Sequence, residues 1–299
     1  MTTAVVVTYN RRELLTRCVE HLRRQTVRLD GIIVVNNGST DGTREWLDSQ
    51  TDLKVIHQEN VGGSGGFYRG IQQACDDGYD WIWCMDDDVY PEPDCLERLL
   101  EQDDEQTGIL CPLKMQAGKM FIAERKKFIL SNPFKSFRTG YLSTKDVQGA
   151  DFVYIEGISF EGPLIKYDVV KKIGFPNKDL FLLYDDSDYS YRTVLAGYQI
   201  KLVTKAILNK ELFFNDDDKA VIIQKNKWKL YYHIRNTTYF YRKYGKNLWV
   251  RTIRPLRVLL QYTTYALKNI PFNSKYNLKD LFLFWNAYRD GMKGRLGKR

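Results

Sequence analysis

Three consecutive aspartates, Asp86, Asp87 and Asp88, close an apolar run at residues 81–85. Adjacent carboxylates repel one another, and a bound cation relieves the repulsion. All-oxygen donors suit Mg2+ or Mn2+, and an ion shared with a diphosphate accounts for the cluster economically. The competing reading is a solvated acidic turn. The strand-end position, where open α/β sheets bind ligands, favours the cation. A second acidic group, Asp185-Asp186-Ser187-Asp188, follows the apolar run 180–184 and opens a helix. A carboxylate there is stabilised as its anion and can take a proton from a hydroxyl. Helix capping by Asp186 or Ser187 explains the same residues. Asp216-Asp217-Asp218 imitates the first triplet but lies between Asn215 and Lys219, away from a convincing strand end, and is assigned to a loop.

Two small-residue stretches lie between these groups. Residues 36–42 (NNGSTDG) offer Asn37 and Asp41, which can read a base edge or a ribose; ordinary turn chemistry uses the same residue types. Residues 60–67 (NVGGSGGF) place four glycines in five positions after Asn60 and Val61. Such a run lets a ligand approach the backbone, with helix N–H groups facing phosphate or sugar. It lacks the Lys-Ser/Thr of a Walker loop and is not G-x-G-x-x-G, and a flexible loop is the alternative. His21, His57 and His233 share no spacing and are read as structural or exposed.

The elements that must position these residues are legible in the first third. Residues 3–8 form a β-branched apolar run, the pattern of a buried parallel strand. Residues 11–25 carry Leu14, Leu15, Cys18, Val19 and Leu22 at helical spacing. Residues 31–35, 53–57 and 81–85 read as further strands, and residues 63–77 as a helix entered through glycines. This alternation predicts an α/β fold with a doubly wound, mostly parallel sheet. Residues 114–148, basic and weakly periodic, read as an insertion or mobile loop. Beyond them, 152–160 reads as a strand, 163–173 as a short helix, 187–196 as a helix stopped by Gly197, and 200–203 and 206–208 as short strands.

Charge marks a boundary. The net charge of +8 hides 18 Lys/Arg against only Asp280 and Asp290 from Lys225 onward, a balance of +16. The preceding 224 residues hold 27 basic and 35 acidic side chains, a balance of −8. The same C-terminal segment holds 16 of the 41 Phe, Trp and Tyr residues and breaks near Gly245, Pro255 and Pro271. Two domains follow: residues 1–224, which hold the acidic groups, and a basic aromatic helical segment, 225–299. The five cysteines lack zinc-ligand spacing and read as reduced cytosolic thiols. No secretory leader is expected, because Tyr9, Asn10 and the arginines cut the run 3–8 short. No apolar stretch reaches transmembrane length.

In order and spacing, the pieces resemble the family-2 glycosyltransferases of GT-A fold: Val5–Arg11 (VVVTYNR), residues 36–43 (NNGSTDGT), Asp86–Asp88, and Asp185–Asp188 before Tyr191-Arg192. The resemblance covers roughly residues 2–210. NVGGSGGF at 60–67 is similar to the loop of the galactofuranosyltransferase branch, which uses UDP-galactofuranose, and residues 231–236 (YYHIRN) are similar to the helical region that follows the catalytic domain there. The resemblance implies an inverting enzyme, with Thr8, Tyr9, Arg11, Asn37, Asp41, Asn60, Gly62, Gly63, Asp86 and Asp87 at the donor. Asn37 stands where many relatives carry a uracil-binding aspartate. Asp86 and Asp88 would bind Mn2+ or Mg2+. Relatives often add a histidine ligand where this chain has Asn209-Lys210, so Asn209 replaces it or Lys210 neutralises phosphate. Asp186 falls at the catalytic base, and Glu156, Phe160 and Asp185 at the acceptor. The implied partners are a UDP-sugar and a surface-polysaccharide or lipid-linked glycan acceptor. The basic aromatic segment 225–299 reads either as an interfacial segment on an anionic membrane surface, with the enzyme peripheral at the inner face of the cell membrane, or as a helical cap whose rings pack on the catalytic domain. Alternatives are a dTDP-rhamnose-dependent rhamnosyltransferase, an inactive glycosyltransferase-like partner, and a nucleic-acid-binding protein, which leaves the acidic strand ends unexplained.

Overall fold

The computed structural model describes residues 1–212, 227–270 and 276–299, and these fall into two compact units. The first comprises Met1–Phe128, Gly140–Lys178 and Asp185–Leu212. It opens with strand β1 (Thr2–Thr8), helix α1 (Arg12–Arg23), β2 (Gly31–Asn36), α2 (Thr43–Asp48), β3 (Lys54–His57), α3 (Gly62–Asp76) and β4 (Trp81–Asp86). These strands pair in parallel in the order β3-β2-β1-β4. All seven residues of β1 are buried. Side chains alternate across a strand, so Val5 and Val7 join one hydrophobic cluster, with Phe67 and Ile71 of α3, while Ala4 and Val6 join the other, with Leu15 and Val19 of α1. Burial on both faces is why the strand sequences are nearly all apolar.

Beyond β4 come β5 (Val89–Pro91), α4 (Cys95–Leu100), β6 (Thr107–Gln116), β7 (Lys119–Met120), α5 (Thr144–Val147), β8 (Phe152–Ile155), β9 (Leu164–Lys166), α6 (Tyr167–Ile173), α7 (Asp185–Leu195) and β10 (Gln199–Lys210). The ten-stranded sheet continues β4-β9-β6-β10-β5 and is mixed. Strand β9 pairs antiparallel with both β4 and β6, whereas β6 and β10 are parallel. The two short strands expected at 200–203 and 206–208 are one strand, β10, with a register irregularity between Val203 and Ile207. Part of the stretch 114–148, expected as an insertion, is built into this unit. Lys114 is completely buried within β6, and Arg125 bridges both Tyr141 and Gly157.

Helix α3 lies unusually close to the sheet. A Cβ at Gly66 would stand 2.5 Å from Val7 Cγ1, and one at Gly70 2.3 Å from Val5 Cγ1. These glycines, four apart on one helix face, seat α3 on β1. Gly70→Ala gains about 1 kcal/mol of helix propensity but overpacks the core by about 1–3 kcal/mol. A lowered urea midpoint with unchanged slope is the expected result, and a midpoint at or above wild type would refute the close-packing argument.

The second unit comprises Ile129–Thr139, Asp179–Tyr184 and the chain from Phe213 onward. Its described helices are α8 (Lys229–Tyr244), α9 (Leu248–Asn269) and α10 (Leu278–Lys293). They enclose a core of Phe181, Tyr231, Ile234, Leu259, Ala266 and Phe284, among others. Helix α8 ends at Gly245 as expected, but Pro255 lies inside α9 without ending it. The proline removes one backbone hydrogen bond, and burial of its ring together with Arg254 and Leu259 holds the helix through it. The expected boundary at Lys225, the break at Pro271 and the decoy triplet Asp216–Asp218 lie outside the described residues.

Candidate active site

Parallel pairing of β1 with β4 sets Val7 opposite Asp86 and brings both carboxyl ends to one edge. Buried Asp87 accepts hydrogen bonds from Thr8 Oγ1 at 2.8 Å and Arg11 Nη1 at 3.0 Å. Arg11 Nη1 also reaches Asp88 Oδ2 at 3.2 Å. The other oxygen of Asp88, Oδ1, is buried and pairs with Lys210 Nζ at 3.8 Å. Asp86, Asp88 and Glu161 each present one oxygen within 4.8 Å of the others. Burial holds the Asp86 carboxyl well above the usual carboxylate range, and Asp88, Glu161 and Asp87 push it further. Three carboxyl groups whose oxygens converge this closely repel one another, and an all-oxygen donor set of this kind is what a hard divalent cation takes, so these residues fit one.

Glu161 is the residue that sequence reasoning left out of the cation group. Its placement depends on strand β9, inserted between β4 and β6. Gly162 N–H donates to the Cys84 carbonyl (2.8 Å), Cys84 N–H to the Pro163 carbonyl (2.9 Å) and Trp83 Nε1 to the Gly162 carbonyl (2.8 Å). Lys114 Nζ forms ion pairs with Glu124 (2.6 Å) and Glu161 (3.1 Å), and Lys210 forms another with Glu161. Burial alone would raise the Glu161 carboxyl, but the two lysines outweigh it and keep the pKa below the usual range. Asn209 instead turns its amide to Glu92 Oε1 at 2.6 Å. Antiparallel pairing with β5 sets it opposite Tyr90, and it is not in the acidic group. A glutamate before Gly-Pro carries no local signal of this role.

The small-residue stretches lie at the same edge. Asn37 is buried, and its amide donates to the Gly62 carbonyl (3.0 Å) and accepts from Gln58 Nε2 (3.0 Å) and Val61 N–H (3.2 Å). It therefore braces the entry to α3, where Asn60 accepts from Gly62 N–H at 3.0 Å. Gly62 has φ of +78°, which favours glycine. A Cβ at Gly63 would meet nothing within 4 Å, so this is the glycine of the loop open to a ligand. Asp41 accepts from the backbone of Arg12 (3.1 Å) and Thr43, joining the starts of α1 and α2. Tyr9 is 47% exposed.

The second acidic group begins α7. Phe181, Leu183 and Tyr184, just before it, all have φ near +65°, a conformation that costs L-residues energy and needs outside support. Within the second unit, the amide of Asn236 donates to the carbonyls of Leu182 and Leu183, each at 2.8 Å. Asp186 accepts from Ser187 N–H at 2.5 Å. Burial and then the charge of Asp185 raise its pKa to about 7, against the opposing effects of Ser187 and Arg125. Burial likewise raises Asp185, opposed in part by backbone N–H groups at the start of α7 and by the Ser64 hydroxyl at the start of α3. Asp188 accepts from Arg192 Nε at 2.9 Å. Arg125, which acts on Asp186, follows Glu124 in the chain, and Glu124 shares Lys114 with Glu161. Glu156 accepts from Phe128 N–H at 2.7 Å. Phe160, expected at the acceptor, is 4% exposed and stacks on Phe67 at 4.6 Å; it is a core residue joining α3 to the Glu161 segment.

A mixed α/β sheet with paired acidic groups at its carboxyl edge defines the GT-A class of glycosyltransferase, and solved structures share the fold. GalNAc-T7 with UDP, GalNAc and Mn2+ superimposes with a TM-score of 0.59 over 90% of this chain and 57% of that one, at 12% identity. The mannosyltransferase PcManGT of Pyrobaculum calidifontis, in complex with GDP-Man and Mn2+, gives 0.55 over 98% and 87%, at 15% identity. Residues 3–156, more than half the sequence, match the model of glycosyl transferase family 2, and the chain belongs to that family. It is 31% identical to galactofuranosyltransferase GlfT1 of Mycolicibacterium smegmatis over 199 residues, 65% of each chain. Identity to the GlfT1 of Mycobacterium tuberculosis is 27% over 65% of this chain and 64% of that one. The match thus spans just under two thirds of the length of these relatives.

Proposed function

We propose that the chain transfers galactofuranose from UDP-galactofuranose, with inversion, to a surface-polysaccharide or lipid-linked glycan acceptor at the cytoplasmic face of a bacterial membrane. The observation that carries the reading is the pairing, in one compact unit, of the Asp86–Asp88–Glu161 group with Asp186, whose pKa of about 7 suits a base. The likeness to the two galactofuranosyltransferases supports the choice of donor.

Asp86, Asp88 and Glu161 would hold Mn2+ or Mg2+, which when bound neutralises charge on the diphosphate. Asn209, turned to Glu92, is left out of that set. Thr8 and Arg11 fix Asp87 and Asp88, while Lys210, beside Asp88 and Glu161, would meet the phosphates. Tyr9, Asn37, Asp41, Asn60, Gly62 and Gly63 form the donor edge, Asn37 acting through the loop it braces. Asp186 accepts the proton of an acceptor hydroxyl as that oxygen bonds the anomeric carbon from the face opposite UDP. The carbon–phosphate-oxygen bond breaks, and UDP departs with the electron pair. Glu156 and Asp185 flank the acceptor.

A thermal-shift panel of nucleotide sugars with and without Mn2+ tests the donor. A selective, Mn2+-dependent rise with UDP-galactofuranose is expected. A selective rise with dTDP-rhamnose would replace the donor, and absence of UDP release with any sugar would replace catalysis by a binding role.

A further inference from the structure

Helices α9 and α10 each carry a second apolar stripe besides the one they bury. Val250, Leu259 and Ala266 of α9, and Phe284 and Ala287 of α10, face the core. On α9, Trp249, Leu256, Leu260 and Leu267 are 67%, 42%, 50% and 48% exposed. Their spacings of 7, 4 and 7 residues keep them on one line along the helix. On α10, Leu278, Phe282 and Trp285 are 66%, 72% and 53% exposed at spacings of 4 and 3. Phe134, 68% exposed, extends the α9 stripe: it shares a cleft with Trp249 and Ile253, and Arg257 Nη1 donates to the adjacent Pro133 carbonyl at 2.6 Å. Single exposed apolar side chains are ordinary, but aligned runs on neighbouring helices mark an interaction surface.

Charge says what covers it. Both acidic residues beyond Lys225 are engaged within the unit: Asp280 with Lys227 Nζ at 2.5 Å, and Asp290 with the Tyr231 hydroxyl at 2.8 Å. Arg251, Arg257 and Lys268 of α9, and Lys279 and Arg289 of α10, remain exposed. A second copy would set one strongly basic surface against another. No helix among the described residues is long and apolar enough to cross a membrane. Exposed Leu, Phe and Trp flanked by Arg and Lys, with no exposed carboxylate on these helices, match the requirements of an interfacial helix on anionic lipid.

We infer that the α9 and α10 stripes insert at the headgroup–acyl boundary of an anionic bilayer, with the flanking cations on lipid phosphates. This deepens the membrane part of the proposed function, yet depends on neither donor nor catalysis. The test is flotation of the full chain with phosphatidylcholine vesicles, with and without phosphatidylglycerol, alongside UDP release with Mn2+. The wild type is expected to float with phosphatidylglycerol vesicles, less so at high salt, with a blue shift of tryptophan emission. The exposed pairs Leu256→Ser with Leu260→Ser, and Phe282→Ser with Trp285→Ser, are each expected to weaken binding at least tenfold while leaving UDP release unchanged. Absence of flotation by the wild type overturns the inference, as does flotation of both double variants at the wild-type level. A dimer that the same substitutions dissolve overturns it in favour of self-association. A wild type that floats but releases no UDP leaves it standing and removes the transfer reading.

Discussion

Asp186→Asn is expected to reduce turnover by about 10²–10⁴-fold, the usual contribution of a positioned general base, with donor affinity unchanged. The carboxamide keeps the shape and still accepts from Ser187 N–H, as Asp186 does at 2.5 Å, but has no basic oxygen to receive the proton. The pH profile adds an independent reading. Burial and the neighbouring Asp185 raise the Asp186 pKa to about 7, so the basic form predominates above that pH and is lost below it. Wild-type kcat/KM is expected to fall about tenfold per unit below pH 7 and to level off above it. The residual rate of the variant should lack this limb. Full turnover in Asp186→Asn would dismiss the assignment, and a wild-type profile flat through pH 7 would assign the base elsewhere.

Asp88→Ala is expected to lower Mn2+-dependent affinity for UDP by about a hundredfold or more, since loss of even an outer partner of a metal site costs about 10–100-fold. The substitution removes one of three clustered oxygen donors. Arg11 retains Asp87 and Lys210 retains Glu161, so no cation is stranded. Repulsion on Asp86 also falls, because Asp88 is the strongest of the charges raising its pKa. The fold should therefore survive, and calorimetric titration of UDP with and without Mn2+ reads the site directly. Equal enhancement by Mn2+ in variant and wild type would move the cation off this group.

Much of this protein follows from local pattern. The parallel block is legible because strands buried on both faces must be apolar along their whole length, as β1 is. The acidic groups are legible because a carboxylate triplet has little reason to end an apolar strand, and because Asp185 to Asp188 open a helix. The C-terminal asymmetry of charge and aromatics is plain composition.

Tertiary structure alone decided which of these residues meet. Glu161 joins Asp86 only because β9 enters antiparallel between β4 and β6, a pairing with no signature in three residues. Asn209 and Lys210 are neighbours in sequence, but side chains alternate across a strand, so β10 turns one to Glu92 and the other to Glu161. Phe160, expected at the acceptor, is instead stacked on Phe67 from α3. The same holds for the aromatic helices: composition shows the abundance of rings, and only packing divides them into a buried core and an exposed stripe. Strand and helix periods are short-range properties carried by neighbouring residues. The partners of a charge or a ring are set by long-range pairing, which the chain acquires only when it folds.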